Sequence, residues 1–316
     1  MKATIYTGDR KVTVEDRPKP VILEPTDAIV KVLHTTICGT DLHILQGHVP
    51  SCTPGRIIGH EGVGVIESLG VAVRNFTVGQ KVLISCITSC GTCHYCRRKM
   101  PSQCESGGWI LGNCIDGTQA EYVRIPHAPF SLHALPESID PKVAVTLSDT
   151  VPTSYECGVL NGDIQPGSTI AIIGTGPIGL MILQMARNLF GPSMTVMVGR
   201  GNPRLEMAKS MGADHTFSVL EGQDAVITSA LAVTKGRGFD VVIEAVGLRT
   251  RLIDAISTPD LLKMVESGSI DPHFLVSHNF AFNNIHDAYE AFELSSKHGS
   301  LKVIITMPEL FTNGSS

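Results

Sequence analysis

Residues 168–190 read STIAIIGTGPIGLMILQMARNLF, and how this run is parsed decides the fold. It is long and apolar enough to suggest a membrane span. Gly174, Thr175, Gly176, Pro177 and Gly179 interrupt it near the start. A strand over 169–174, a tight turn and a helix from Ile178 to Phe190 account for it better. The turn carries Gly174-x-Gly176-x-x-Gly179. On its own such a motif is weak, because glycines are common. Directly after a buried strand and opening a helix, it is a dinucleotide fingerprint. The glycines permit the turn and let a pyrophosphate approach the helix N-terminus, with Pro177 and Ile178 in the same cofactor-binding turn.

The same grammar continues outward. Strand MTVMVG (194–199) leads into helix PRLEMAKSMG, weak strand HTFSV, helix AVITSALAVTKG and strand FDVVIEAVG (239–247). Strands alternating with helices imply a parallel, doubly wound sheet. About twenty residues after the glycines, a carboxylate would bind the adenosine ribose of NAD. Gly199 and Arg200 stand there instead, with Arg204 nearby. No carboxylate would repel a 2′-phosphate, and arginine can pair with one bidentately, so NADP(H) is expected over NAD(H). The plainer alternative makes Arg200 a solvated loop charge.

Residues 1 to about 150 read differently. Short alternating runs such as AIVKVLH, GVGVIESLG and QKVLISC lie between Gly, Pro, Asn and Asp turns, a pattern that suits an antiparallel barrel or sandwich. The formal net charge of -5 and the absence of a basic stripe argue against a nucleic-acid partner. The polar start MKATIYTGDRKVTVEDRP has no apolar targeting core, so a cytoplasmic protein with reduced thiols and no membrane association is expected.

Four of the nine cysteines, Cys90, Cys93, Cys96 and Cys104, fall in CGTCHYCRRKMPSQC. In a reducing compartment this spacing reads as a zinc cage, closed by four thiolates and therefore structural. An iron–sulfur cluster is the sharper rival, and four unrelated buried thiols the dull one. A second set is more dispersed. Cys38 in ICGTDLH, His60 and Glu61 in GHEGVGVIESLG, and Asp149 in LSDTVPT could hold a zinc with an open position, as catalytic sites do. Singly, each has an ordinary reading: a buried thiol, a core histidine, a solvated charge, a helix cap.

Together these motifs resemble the zinc-containing medium-chain alcohol dehydrogenases. GHEGVGVIESLGVAV fits that family's zinc signature, with Gly59, His60, Glu61, Gly64 and Gly70 in place. The cysteine cluster matches its structural zinc lobe, and Cys38-Gly39-Thr40-Asp41 its first catalytic-zinc segment. Three motifs in the right order, along almost the whole chain, make the resemblance specific. It implies an α/β protein with a GroES-like, β-rich catalytic domain over 1–150 and 285–316 and a Rossmann domain over 151–284. It also implies two zinc ions per chain. LSDTVPTSYECG is similar to the secondary-alcohol dehydrogenase and carbonyl reductase branch, whose zinc ligands are Cys, His and Asp. That points to Cys38, His60 and Asp149, with Glu61 as an adjacent or alternating ligand.

The implied reaction is reversible oxidation of a small alcohol to a ketone or aldehyde, with zinc as Lewis acid and hydride passing to the nicotinamide. Thr40 and His43 match the family's proton relay, and Trp109, the only tryptophan, matches a position that lines its substrate site. The alternatives are an NAD-dependent enzyme acting on polyols, formaldehyde adducts or threonine, and an inactive form that only binds zinc and nucleotide.

One departure stands out. A dinucleotide domain of this type has about six strands in two halves. Only four are recognisable before SLKVIITM (300–307), which reads as a strand returning to the first half. Roughly forty residues, a little more than one βαβ unit, are missing near 247–250. The sequence reads as a shortened isoform or a gene model with a segment removed. The missing strands include the one often used for subunit pairing, so a homo-oligomer interface would be compromised.

Overall fold

In a computed structural model of the 316-residue chain, residues 1–247, 253–295 and 299–308 are described. Thirteen strands occur among them: β1 (Lys2–Tyr6), β2 (Val12–Asp16), β3 (Ala28–Ile37), β4 (Gly62–Leu69), β5 (Lys81–Ile84), β6 (Tyr122–Ile125), β7 (Leu132–Ala134), β8 (Thr169–Ile173), β9 (Met194–Gly199), β10 (His215–Ser218), β11 (Val241–Glu244), β12 (Val276–Ala281) and β13 (Lys302–Thr306).

The first half is built on a seven-stranded sheet in the order β12-β13-β3-β4-β5-β7, with β6 also paired to β3. Its long central strand β3 is buried almost throughout, because AIVKVLHTTI is apolar or β-branched at nearly every position. β1 and β2 form a separate antiparallel hairpin.

The second half is a parallel sheet in the order β10-β9-β8-β11. That is the doubly wound order with β8 as the first strand, and it stops at β11. The expected loss of the last two strands is therefore met: among the described residues no strand pairs with the outer edge of β11. Val242 and Val246 are 60% and 61% exposed on this margin, and helix Gln223–Val233 has no buried residue despite its apolar sequence QDAVITSALAV. Of the expected junction at 247–250, residues 248–250 lie outside the described residues.

β12 was not expected. It lies inside the range 151–284 allotted to the dinucleotide half, yet pairs in parallel with β13 in the first sheet. VSHNFA is an edge strand, half-exposed and carrying Ser, His and Asn, so it lacks the apolar run that marks a buried strand. We place the return to the first half before Val276.

Past the junction, the chain is anchored by Glu156, on the helical segment Ser154–Leu160. Its Oε2 accepts from the amides of Asp254 and Ala255 (both 3.0 Å), and its Oε1 from the amide of Ser257 (2.9 Å) and that residue's hydroxyl. Asp254 in turn accepts from Ser102, beside the cysteine lobe. Among the described residues no helix is long and apolar enough to cross a membrane.

Candidate metal and cofactor sites

Cys38 caps the short helix Gly39–Leu45. Its own amide donates to Asp41 Oδ2 (2.8 Å), which fixes the cysteine at the end of β3. His60 and Glu61 immediately precede β4, and Asp149 precedes the helical turn Thr150–Thr153. The four come together, with their ligand atoms within 4.8 Å of one another. His60 Nε2 lies 3.2 Å from Asp149 Oδ2, and Cys38 Sγ lies 3.7 Å from the same oxygen. For zinc bonds of ordinary length the edges of a tetrahedron would be about 3.4 Å (N to O) and about 3.6 Å (S to O). The donor chemistry and the spacing both fit zinc. Asp149 makes no side-chain cap; its other oxygen accepts from Thr153 Oγ1 (2.6 Å).

Burial alone would keep His60 neutral, but its contacts with Asp149 and Cys38 outweigh that and raise its proton affinity well above the usual histidine range. Burial pushes the Asp149 carboxyl up, but the bond from His60 overrides this and brings it down to about 2. A metal entering this set displaces a proton from a strong site.

Glu61 is in the cluster but not free. Lys302 Nζ lies 2.6 Å from its Oε2 and 2.8 Å from its Oε1, and both side chains are almost fully buried. Thr150 Oγ1 also donates to Oε1 (3.3 Å). Lys302 was missed in the sequence. The available signal was a lone cation in the buried strand KVIIT.

Thr40 Oγ1 is 3.8 Å from Cys38 Sγ. His43 is exposed and meets His48 (Nδ1 to Nδ1, 3.4 Å); among the described residues no hydrogen bond joins it to Thr40. Trp109 stands edge-on to His60, ring centroids 6.1 Å apart, so it does border the set.

The second cluster holds Cys90, Cys93, Cys96 and Cys104. Cys90 and Cys96 sulfurs are 3.9 Å apart, against about 3.8 Å for the edge of a zinc tetrathiolate. Amides of Cys90, Cys93 and Cys96 point at the sulfurs of Cys104, Cys90 and Cys93. Burial raises the Cys90 thiol, but the Thr92 and Cys93 amides dominate and bring it down to about 5. The Cys96 amide likewise lowers Cys93, while burial holds Cys96 up at about 12.

The glycine turn forms between β8 and helix Pro177–Met185. Gly174 has φ +119°, and a Cβ at Gly179 would lie 1.9 Å from the Gly174 carbonyl oxygen, so both positions require glycine. Gly176 faces open space, where a phosphate can approach. Gly199 closes β9, and Arg200 beside it is exposed. Arg204 is turned away: its guanidinium donates to the Ser300 carbonyl.

Residues 24–137 match the alcohol dehydrogenase GroES-like domain, and residues 177–258 the zinc-binding dehydrogenase domain. Zinc-type alcohol dehydrogenase B of Aspergillus flavus is 37% identical over 260 residues, covering 80% of this chain but 59% of that protein. An alcohol dehydrogenase of Cupriavidus necator is 31% identical, covering 96% of this chain and 98% of the relative. That match runs over 366 positions for about 303 residues of this chain, so about 63 positions have no residue opposite. The solved structure of zinc dependent alcohol dehydrogenase 2 from Streptococcus pneumonia is 41% identical with a TM-score of 0.91, covering 97% of this chain and 98% of that one.

Proposed function

We propose that this chain, which belongs to the zinc-containing medium-chain alcohol dehydrogenase family, is an oxidoreductase that interconverts a small alcohol and its ketone or aldehyde with NADP(H). The observation that carries the reading is the convergence of Cys38, His60 and Asp149 from three separate elements, with Glu61 held to one side by Lys302. A zinc ion bound there would polarise a substrate oxygen, and the dinucleotide would give or take the hydride.

The chain's own residues do the rest. Cys38, His60 and Asp149 hold the metal, while Glu61 is kept at the margin by its lysine. Trp109 supplies an apolar wall against His60, which keeps water from the reacting carbon. Thr40, whose hydroxyl is 3.8 Å from Cys38 Sγ, would take the substrate's hydroxyl proton; the step on to His43 would need a bridging group, since no hydrogen bond joins the two among the described residues. The four-cysteine lobe would hold a second, structural zinc. Arg200 is the cation available to a 2′-phosphate.

The test is the initial rate of NADPH oxidation, with NADH alongside, by the zinc-replete 316-residue protein against a panel of small ketones and aldehydes. Turnover that favours NADPH is expected. Equal or better use of NADH would refute the cofactor assignment. The outer edge of β11, with which no strand among the described residues pairs, supports a second reading, a protein that binds zinc and nucleotide without hydride transfer. Two bound zincs, nucleotide binding and no turnover with either cofactor would select it.

A further inference from the structure

The loop that enters β13 touches both halves. Gly299 packs against Pro203, in the first turn of helix Asn202–Ser210, with 3.5 Å between Pro203 Cβ and the position a Gly299 Cβ would take. One residue on, Ser300 is fully buried and its carbonyl accepts from the Arg204 guanidinium. Two residues further, Lys302 reaches Glu61 beside the metal set. Arg204 is half-buried, and no carboxylate pairs with it among the described residues. Burial lowers its proton affinity, and its Nε is buried without a partner. A cation placed so, on a neutral carbonyl, is committed to holding the backbone and is not presented to solvent.

We propose that Arg204 is a positioning residue: by gripping the Ser300 carbonyl it holds β13 where Lys302 engages Glu61, and it is not a ligand of the dinucleotide. This deepens the function proposed above and rests on its metal assignment. Glu61 has two available partners, the Lys302 ammonium and the metal, and it cannot satisfy both from one position. With β13 held, the lysine takes the carboxylate and one metal position stays free for substrate. With β13 loosened, the carboxylate would be free to join Cys38, His60 and Asp149 in holding a metal. The adenosine side then depends on Arg200 alone for a 2′-phosphate.

The experiment places cobalt(II) in the Cys38/His60/Asp149 site of otherwise zinc-replete protein and records its d–d spectrum for wild type, Arg204→Gln, Arg204→Lys and Lys302→Met. Binding of 2′-phospho-ADP-ribose is measured on the same proteins by calorimetry. The expected result is that R204Q shifts the cobalt bands in the same direction as K302M. R204K, which keeps a donor for the Ser300 carbonyl, should resemble wild type. The dissociation constant should change by less than about threefold in R204Q. A wild-type cobalt spectrum in R204Q, or a larger loss of 2′-phospho-ADP-ribose binding, overturns the proposal. Neither readout needs turnover, so an inactive wild type would count against hydride transfer and leave this test standing. A wild type that takes up no cobalt outside the four-cysteine lobe overturns both.

Discussion

Lys302 and Glu61 form an ion pair in which both side chains are out of water, 3% and 1% exposed, with the ammonium 2.6 Å and 2.8 Å from the two carboxylate oxygens. Burial raises the proton affinity of Glu61 even against the pull of Lys302. Burial would strip Lys302 of its proton, but the neighbouring anions, chiefly the Glu61 carboxylate, override this and hold it charged, above the usual lysine range. The pair joins β13 to the residue before β4 and adjoins the metal set.

Removing one partner of such a pair leaves the other buried and unpaired, at a cost of about 3–5 kcal/mol. Lys302→Met should lower the urea midpoint accordingly when the Cys38/His60/Asp149 set is kept free of metal, so that the carboxylate has no second partner. Adding Glu61→Gln to it should restore part of the loss. A K302M midpoint equal to wild type would show that the pair contributes nothing to stability.

The cofactor choice proposed above rests on Arg200. Arg200→Gln should raise the KM for NADPH on the order of tenfold, the loss of one charge-assisted contact of about 1.5 kcal/mol, and leave that for NADH nearly unchanged. Equal changes for both cofactors would mean Arg200 does not read the 2′-phosphate.

Thr40 lies beside Cys38 without being in the metal set. Thr40→Ala should reduce kcat on the order of a hundredfold, the scale of a lost proton-transfer group, with both zincs retained by elemental analysis. Thr40→Ser should recover most of the rate. Wild-type turnover in T40A would remove the hydroxyl from the proton path.

Acid should destabilise the fold through His34. Its ring is buried against Thr306 (Nδ1 to Oγ1, 3.1 Å), and burial, assisted by the Lys142 charge, lowers it from 6.5 to about 4. The unfolded chain therefore takes up the proton first. The stabilisation is fully present above pH 6.5 and is lost as pH falls from there through about 4, up to on the order of 3 kcal/mol. Urea midpoints at pH 7 and pH 4.5 should differ for wild type and differ less for His34→Gln. Identical pH slopes would assign the acid sensitivity elsewhere.

Much of this was legible in the sequence where local rules suffice. The strand–glycine turn–helix at 169–190 and the four cysteines announce themselves through spacing alone. The parallel character of the four-stranded sheet follows from alternating strands and helices, and its end at β11, among the described residues, from the lack of a further Val/Ile-rich run soon after Gly247. Cys38, His60 and Asp149 are separately unremarkable; their donor types allowed them to be grouped around one zinc, and the resemblance of their flanking segments strengthened that grouping. β12 was hidden because an edge strand is half-wet and needs no apolar run. The roles of Lys302, Glu156 and Arg204 were hidden for another reason. Each acts on a group 96 or more residues away, the carbonyl of Ser300, the amides around 255 and the carboxylate of Glu61, and no local pattern encodes such a partner.

The Lys302–Glu61 pair spans 241 residues of chain, and Cys38, His60 and Asp149 lie before the whole dinucleotide half. On a translating ribosome the early ligands emerge long before the lysine that restrains Glu61. During that interval the carboxylate has no cation and the nascent first sheet lacks β13, its neighbour to β3. Contacts of such long sequence separation form slowly, and a half-built sheet is prone to wrong pairing. The proposed metal set therefore acquires its full surroundings only at the end of synthesis, and until then Glu61 lies beside Cys38, His60 and Asp149 with no lysine to hold it aside.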